Sequence, residues 1–129
     1  MFMDGRRATA TVLVVEDDDD TRMVYSDGLG YAGYRVIAAS TGVDGLRAAR
    51  DEHPDLILLD LSLSGASGWE VVRCLKASHL TGDIPVLLIT GYTDLGERTD
   101  AEGCAGFLTK PIRLKTLRTA VASLLPPAS

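Results

Sequence analysis

An unbroken block of five acids, Glu16-Asp17-Asp18-Asp19-Asp20, stands directly behind the apolar run Thr11–Val15 (TVLVV). A single acid, Asp60, closes a second run, Asp55–Leu59 (DLILL). Thr90 closes a third, Ile84–Ile89 (IPVLLI), and Lys110 closes a fourth, Gly106–Thr109 (GFLT). If these runs are strands of one open parallel sheet, their C-terminal ends share a rim, and ligands bind in the crevice outside it. Three carboxylates, a hydroxyl and an ammonium would then meet. Two carboxylates about 4 Å apart repel by ~4 kcal/mol at an effective dielectric of about 20. Such a group needs raised pKa values or a divalent cation. Only oxygen donors stand at these ends, with no His or Cys, so Mg²⁺ or Mn²⁺ suits them better than zinc.

Each residue also has an ordinary reading. Acids behind a strand commonly form a solvated helix start, and Asp18, Asp19 and Asp20 read as helix N-terminal residues that favour the macrodipole. Asp60 alone fits a turn, Thr90 a β-former and Lys110 a surface lysine. Their arrival together at one rim is what separates chemistry from coincidence. His53, His79, Cys74 and Cys104 converge on nothing and read as surface or core filler.

The elements that must position this rim are legible. Three runs are near-continuously apolar, as strands buried on both faces must be, while Arg35–Ala39 (RVIAA) is more mixed and GFLT is short, and both read as sheet edges. Helical stretches separate the runs, which implies an α/β fold with right-handed crossovers and helices on both faces. Residues 112–125 carry the stripe Leu114, Leu117, Val121, Leu124. Trp69, Val72 and Leu75 form a similar face, and Val43, Leu46 and Ala49 a weaker one. The helix at 19–31 is weakened by Gly28 and Gly30. The stretch 92–103, with Leu95 alone and Gly96 inside it, predicts a short, poorly anchored helix.

Composition bounds the rest. The chain has 129 residues, 46% hydrophobic and 24% charged, the size of one globular domain. Thirteen basic against eighteen acidic residues give a net charge of −5, and removing the Glu16–Asp20 block leaves 13 against 13. The net charge is one local cluster, which suits a cation and gives no reason to bind nucleic acid. No apolar run is long enough for a membrane span, and Arg6-Arg7 starts no export signal. Two cysteines make neither a disulfide framework nor a metal pair, which places the chain in a reducing cytoplasm. Residues 1–9 read as a flexible extension, 10–125 as the domain and 126–129 (PPAS) as a tail. From Cys104 onward Lys110, Arg113, Lys115 and Arg118 face no acid. With Lys110 in the rim, the other three make the last helix a basic surface, either a solvated face or a docking face for an acidic partner.

VLVVEDD at 12–18, PDLILLDL at 54–61, IPVLLITG at 84–91 and GFLTKP at 106–111 together resemble the receiver domain of two-component response regulators, across about residues 10–125. The resemblance implies a flavodoxin-like, five-stranded parallel sheet of order 2-1-3-4-5 in a single domain. It implies a phosphoacceptor that takes a phosphoryl group from a histidine kinase or phosphotransfer protein and then switches conformation, rather than an enzyme. On that resemblance Asp60 is the phosphoacceptor. Asp17 and Asp60 ligate Mg²⁺ together with the Ser62 backbone carbonyl, and Glu16 acts through water. Lys110 and Thr90 hold phosphoryl oxygens, and Phe107 is the aromatic that follows Thr90 on switching. The Lys110–Pro111 bond is expected cis. An effector or a second copy would use the 92–118 face.

The sequence departs from the family pattern in three places. DLSLSGASG at 60–68 has Ser64 and Ser67-Gly68 where the family often has Pro and Asp-Gly, Glu16 replaces the commoner Asp, and the Thr90–Lys110 span is about two residues shorter, as in receivers of hybrid sensor kinases. Two rival readings are a haloacid-dehalogenase-type phosphatase, whose DxDxT opening Asp17, Asp19 and Thr21 match literally, and a receiver-like interaction module that is never phosphorylated, supported by the unusual loop at 62–68.

Overall fold

The computed structural model describes residues 9–63, 67–91 and 103–125. Its elements are β1 (Thr11–Val15), α1 (Asp19–Tyr31), β2 (Arg35–Ala39), α2 (Gly42–Glu52), β3 (Leu56–Asp60), α3 (Gly68–Ala77), β4 (Val86–Thr90), β5 (Gly106–Thr109) and α4 (Leu114–Leu124). The five strands pair in parallel in the order β2-β1-β3-β4-β5. The flavodoxin-like order expected from the sequence is therefore the one observed, with RVIAA and GFLT at the edges. The strand expected from Ile84 enters the ladder only at Val86, because Pro85 has no N–H to donate and offers only its carbonyl, to Ile57. The predicted helix at 92–103 falls mostly on residues 92–102, outside the described residues, as do residues 1–8 and the 126–129 tail.

The central strands alternate their side chains between two cores. Leu13, Val15, Ile57, Leu59, Val86 and Leu88 face α2 and α3, meeting Ala49, Trp69, Val72 and Leu75. Val12, Val14, Leu56, Leu58, Leu87 and Ile89 face the other way, against Tyr25 and Leu29 of α1 and Leu117 and Val121 of α4. Burial on both faces is why these strands contain so little but Val, Leu and Ile.

One predicted face is corrected. Val43 is not part of the inner face of α2 but 64% exposed. The helix instead buries Gly42, Gly45 and Ala49. A Cβ on Gly45 would sit 2.9 Å from Val15 Cγ2, so α2 lies too close to β1 for any larger residue there. Gly28 has a similar use, since a Cβ there would lie 2.7 Å from Leu114 Cδ2. Among the described residues, no helix is long and apolar enough to cross a membrane.

Candidate functional site

The first strand delivers its acids with a fixed backbone. Glu16 N–H still donates to Ala39 O at 3.0 Å, which extends the β1–β2 pairing one step past Val15. Asp18 then caps α1, its carboxylate accepting from Thr21 N–H at 2.8 Å and from the Thr21 hydroxyl at 2.6 Å. That hydrogen bonding holds its pKa below the usual carboxylate value. Its own N–H donates to Glu16 Oε2 at 3.0 Å. Arg22, one turn into α1, donates through Nη1 to the Glu16 carbonyl at 2.9 Å and through Nη2 to Asp19 at 2.6 Å.

The other strand ends converge on the same rim. Glu16, Asp17 and Asp60 each present a carboxylate oxygen, all within 4.8 Å of one another. Asp60 is buried at the end of β3, where Oδ1 accepts the Ser62 N–H at 2.9 Å and Oδ2 accepts from Lys110 Nζ at 2.9 Å. Lys110 also stands 3.6 Å from Glu16 Oε1. It follows β5 directly, and its N–H donates to Thr90 O at 2.6 Å, which ties the lysine to the end of β4. The Lys110–Pro111 bond is cis, as the resemblance implied.

The electrostatics of this rim are unbalanced in a telling way. Burial pushes the Glu16 pKa up from 4.5 to about 7; the Asp18 N–H works against that rise, and the neighbouring Asp60 charge adds to it. Burial would lower the Lys110 pKa, but the hydrogen bond to Asp60 and the charges of Asp60 and Glu16 outweigh it and raise it. Glu16 Oε1 is buried with no hydrogen-bond partner, which is costly for a carboxylate oxygen. Three clustered carboxylate oxygens, joined among the described residues by no histidine or cysteine, fit a hard divalent cation such as Mg²⁺.

The structure brings the predicted site residues Glu16, Asp17, Asp60 and Lys110 together, with Ser62 joined through its N–H. Thr90 is fully buried at the end of β4, one step beyond the Asp60–Ile89 register. Phe107 is 38% exposed and pairs with Leu88, while Thr109 pairs with Thr90, so the aromatic sits one rung back from the threonine on the same face. Ser67, one of the loop's departures from the pattern of the resembled family, caps α3 in a reciprocal box with Glu70. Residues 64–66 of that loop lie outside the described residues. Two residues near the site escaped sequence reasoning. Arg22 gave a signal only as a cation six positions after Glu16. Tyr25 is buried on α1 and lines, with Asp20, Thr21, Val24, Lys110, Pro111 and Ile112, a mostly apolar groove of about 510 Å³. Burial raises its pKa. Asp19 and Thr21, needed by the phosphatase reading, are engaged elsewhere: Asp19 is 84% exposed against Arg22, and Thr21 bonds the Asp18 cap.

Comparison with known proteins agrees with this geometry. The family model of the response regulator receiver domain matches residues 12–122. The polar-differentiation response regulator DivK of Brucella ovis is 34% identical over 119 residues, covering 91% of this chain and 97% of DivK. The structure of the Vibrio cholerae chemotaxis protein CheY4 superposes with a TM-score of 0.86 at 30% identity, over 92% of this chain and all of that one. The receiver domain of a sensor histidine kinase from Pseudomonas aeruginosa, with a magnesium ion coordinated in its active-site cleft, superposes with a TM-score of 0.82 at 26% identity, over 91% and 98% of the two chains.

Proposed function

This chain belongs to the response regulator receiver domain family, the phosphoacceptors of two-component signalling, and from that premise we propose that Asp60 is its phosphoacceptor. One observation carries the assignment. Asp60, buried at the end of β3, accepts the Lys110 ammonium at 2.9 Å and lies within 4.8 Å of both acids behind the first strand, whereas Glu16 stands 3.6 Å from that lysine. A carboxylate oxygen of Asp60 attacks the phosphorus of a phosphohistidine on a histidine kinase or phosphotransfer protein. The O–P bond forms as the N–P bond breaks, and the bonding pair returns to the imidazole nitrogen. Asp17 and Asp60 would hold Mg²⁺ directly, with the Ser62 carbonyl completing the protein's share and Glu16 acting through water. When bound, the ion neutralises charge on the phosphoryl oxygens. Lys110 binds one such oxygen after leaving the Asp60 carboxylate.

Thr90 and Phe107 are the switch in this reading. The acyl phosphate adds nearly two negative charges to the rim. A Thr90 hydroxyl drawn to that group leaves volume on the face it shares with Phe107, and the ring turns inward from its exposed position. The chain thus assists its own phosphorylation and dephosphorylation without being a turnover enzyme, and it works in the cytoplasm through protein contacts. The 92–118 face is where an acidic effector or a second copy docks. In its support, Arg113, Lys115 and Arg118 make no ion pair among the described residues, while Arg22, Arg35, Arg47 and Arg50 each have an acid partner.

Acetyl phosphate with Mg²⁺ tests the assignment. One hydroxylamine-sensitive phosphoryl group per chain, read by mass spectrometry, is expected in the wild type and none in Asp60→Asn. Labelling that survives Asp60→Asn but is lost in Asp19→Asn would instead favour the phosphatase. A folded protein with no labelling at all would favour the interaction module.

A further inference from the structure

We infer that Arg22 is a positioning residue for the cation site: its guanidinium fork pins the peptide between Glu16 and Asp17, and so holds both first-strand carboxylates at the rim. The inference rests on the reading that these carboxylates hold Mg²⁺. The carbonyl that Arg22 Nη1 contacts at 2.9 Å belongs to Glu16. A peptide unit is planar, so that oxygen and the Asp17 N–H move as one rigid plane. The Glu16 N–H bond to Ala39 O fixes the preceding peptide, and the Asp18 N–H bond to Glu16 Oε2 fixes the following one. Arg22 anchors the one between them. Its second nitrogen is held by Asp19 at 2.6 Å, which keeps the fork from swinging away.

Only arginine can do this from position 22. The guanidinium donates in two directions from one rigid plane, whereas a lysine ammonium at the end of a flexible stem is a point charge with no fixed fork. Arg22 is mostly buried, with 21% of its side chain exposed, so its geometry is constrained by packing as well as by its two acceptors.

A charge effect and a positioning effect have opposite signs here, which makes the idea testable. A guanidinium near a cation site repels the cation by Coulomb's law. If Arg22 were merely a charge, neutralising it would tighten Mg²⁺ binding. If it is a positioning group, removing it loosens the acidic pair and weakens binding, as loss of groups that orient metal ligands does, by about tenfold.

Calorimetric titration of the full chain with Mg²⁺, in Arg22→Gln and Arg22→Lys, reads the sign. Both variants are expected to bind about tenfold more weakly, while Arg47→Gln, which breaks an equivalent arginine–aspartate pair away from the rim, binds as the wild type does. Amide hydrogen exchange on the metal-free proteins gives an independent reading. Exchange at Asp17 and Asp18 should accelerate in both Arg22 variants while the β3 amides keep their wild-type rates; uniform acceleration would mean general destabilisation and overturn the idea. Unchanged or tighter Mg²⁺ binding in Arg22→Gln overturns it, and so does wild-type affinity in Arg22→Lys. Should Arg22→Gln fail to fold, the lysine variant decides alone. A wild-type chain that takes up no Mg²⁺ would reject the cation-site reading itself, and the exchange pattern would still show whether Arg22 holds the peptide.

Discussion

Glu16 shows how a single residue can carry both a cost and a use. Its carboxylate is buried, one oxygen accepts no hydrogen bond and has only the Lys110 ammonium 3.6 Å away, and its pKa lies at about 7 instead of 4.5. In the metal-free protein the folded state therefore binds a proton that the unfolded state has already lost between pH 4.5 and 7. Stability must fall as pH rises through that window and level off above it. Asp18, whose pKa is lowered from 3.8, acts only at more acid pH, and Lys110, raised from 10.5, only at more alkaline pH, so neither enters the window. Urea unfolding without divalent ions should show a decline on the order of 1–3 kcal/mol from pH 4.5 to 7. That decline should vanish in Glu16→Gln; an equal slope in the variant would place the titrating group elsewhere. The residue types at the rim were legible because chemistry restricts them: acids, a hydroxyl and a lysine at strand ends have few common purposes. Arg22 was not legible, because its role depends on where the fork of a helical side chain meets a backbone carbonyl, and neither is visible in a string of letters.

At the scale of elements, strands were read more truly than helix faces. Near-continuous Val, Leu and Ile over Thr11–Val15 and Leu56–Asp60 admits one explanation in a chain of this size, burial on both faces. Helix α2 was misread because hydropathy favours large aliphatics, so Val43 was assigned inward. What decides its orientation is the absence of a side chain at Gly45, which lets the helix settle against Val15. The segment at 92–102 offers too few apolar residues for periodicity to speak. The two kinds of helical glycine predict opposite outcomes for one substitution. Gly45→Ala places a methyl 2.9 Å from the stiff, buried Val15 side chain and should destabilise by about 1–2 kcal/mol despite better helix propensity. Gly30→Ala, on exposed α1 with nothing within 4 Å, should stabilise by about 0.5–1 kcal/mol. Chemical denaturation of the two variants checks the pair; the same sign in both would mean that the close approach of α2 to β1 does not control its packing.

At the scale of the molecule, the fold gathers like charges and leaves the imbalance to be met from outside. The parallel topology sends the ends of β1, β3, β4 and β5 to one edge, and the register that buries every core side chain also brings Glu16, Asp17 and Asp60 together. One lysine faces three acids there, so the rim keeps a surplus of negative charge, met only in part by Lys110 and by protonation of Glu16, until a cation arrives. Binding to the folded state alone stabilises it by mass action, and the unfolded chain cannot assemble this group of ligands. At free Mg²⁺ ten times the dissociation constant the gain is about 1.4 kcal/mol. For a domain of this size that corresponds to a rise in melting temperature of roughly 4–8 °C. Differential scanning calorimetry across a Mg²⁺ series should show this rise, while Na⁺ at matched ionic strength should not. In Asp17→Asn the rise should disappear, and its metal-free melting temperature should be at least that of the wild type, because one repelling charge has gone. That second result separates the two accounts of the rim. If Asp17 only supported the fold through local hydrogen bonds, the metal-free variant would melt lower; if it stands in a repelling cluster built for a cation, removing its charge relieves the metal-free state and abolishes the response to Mg²⁺ together.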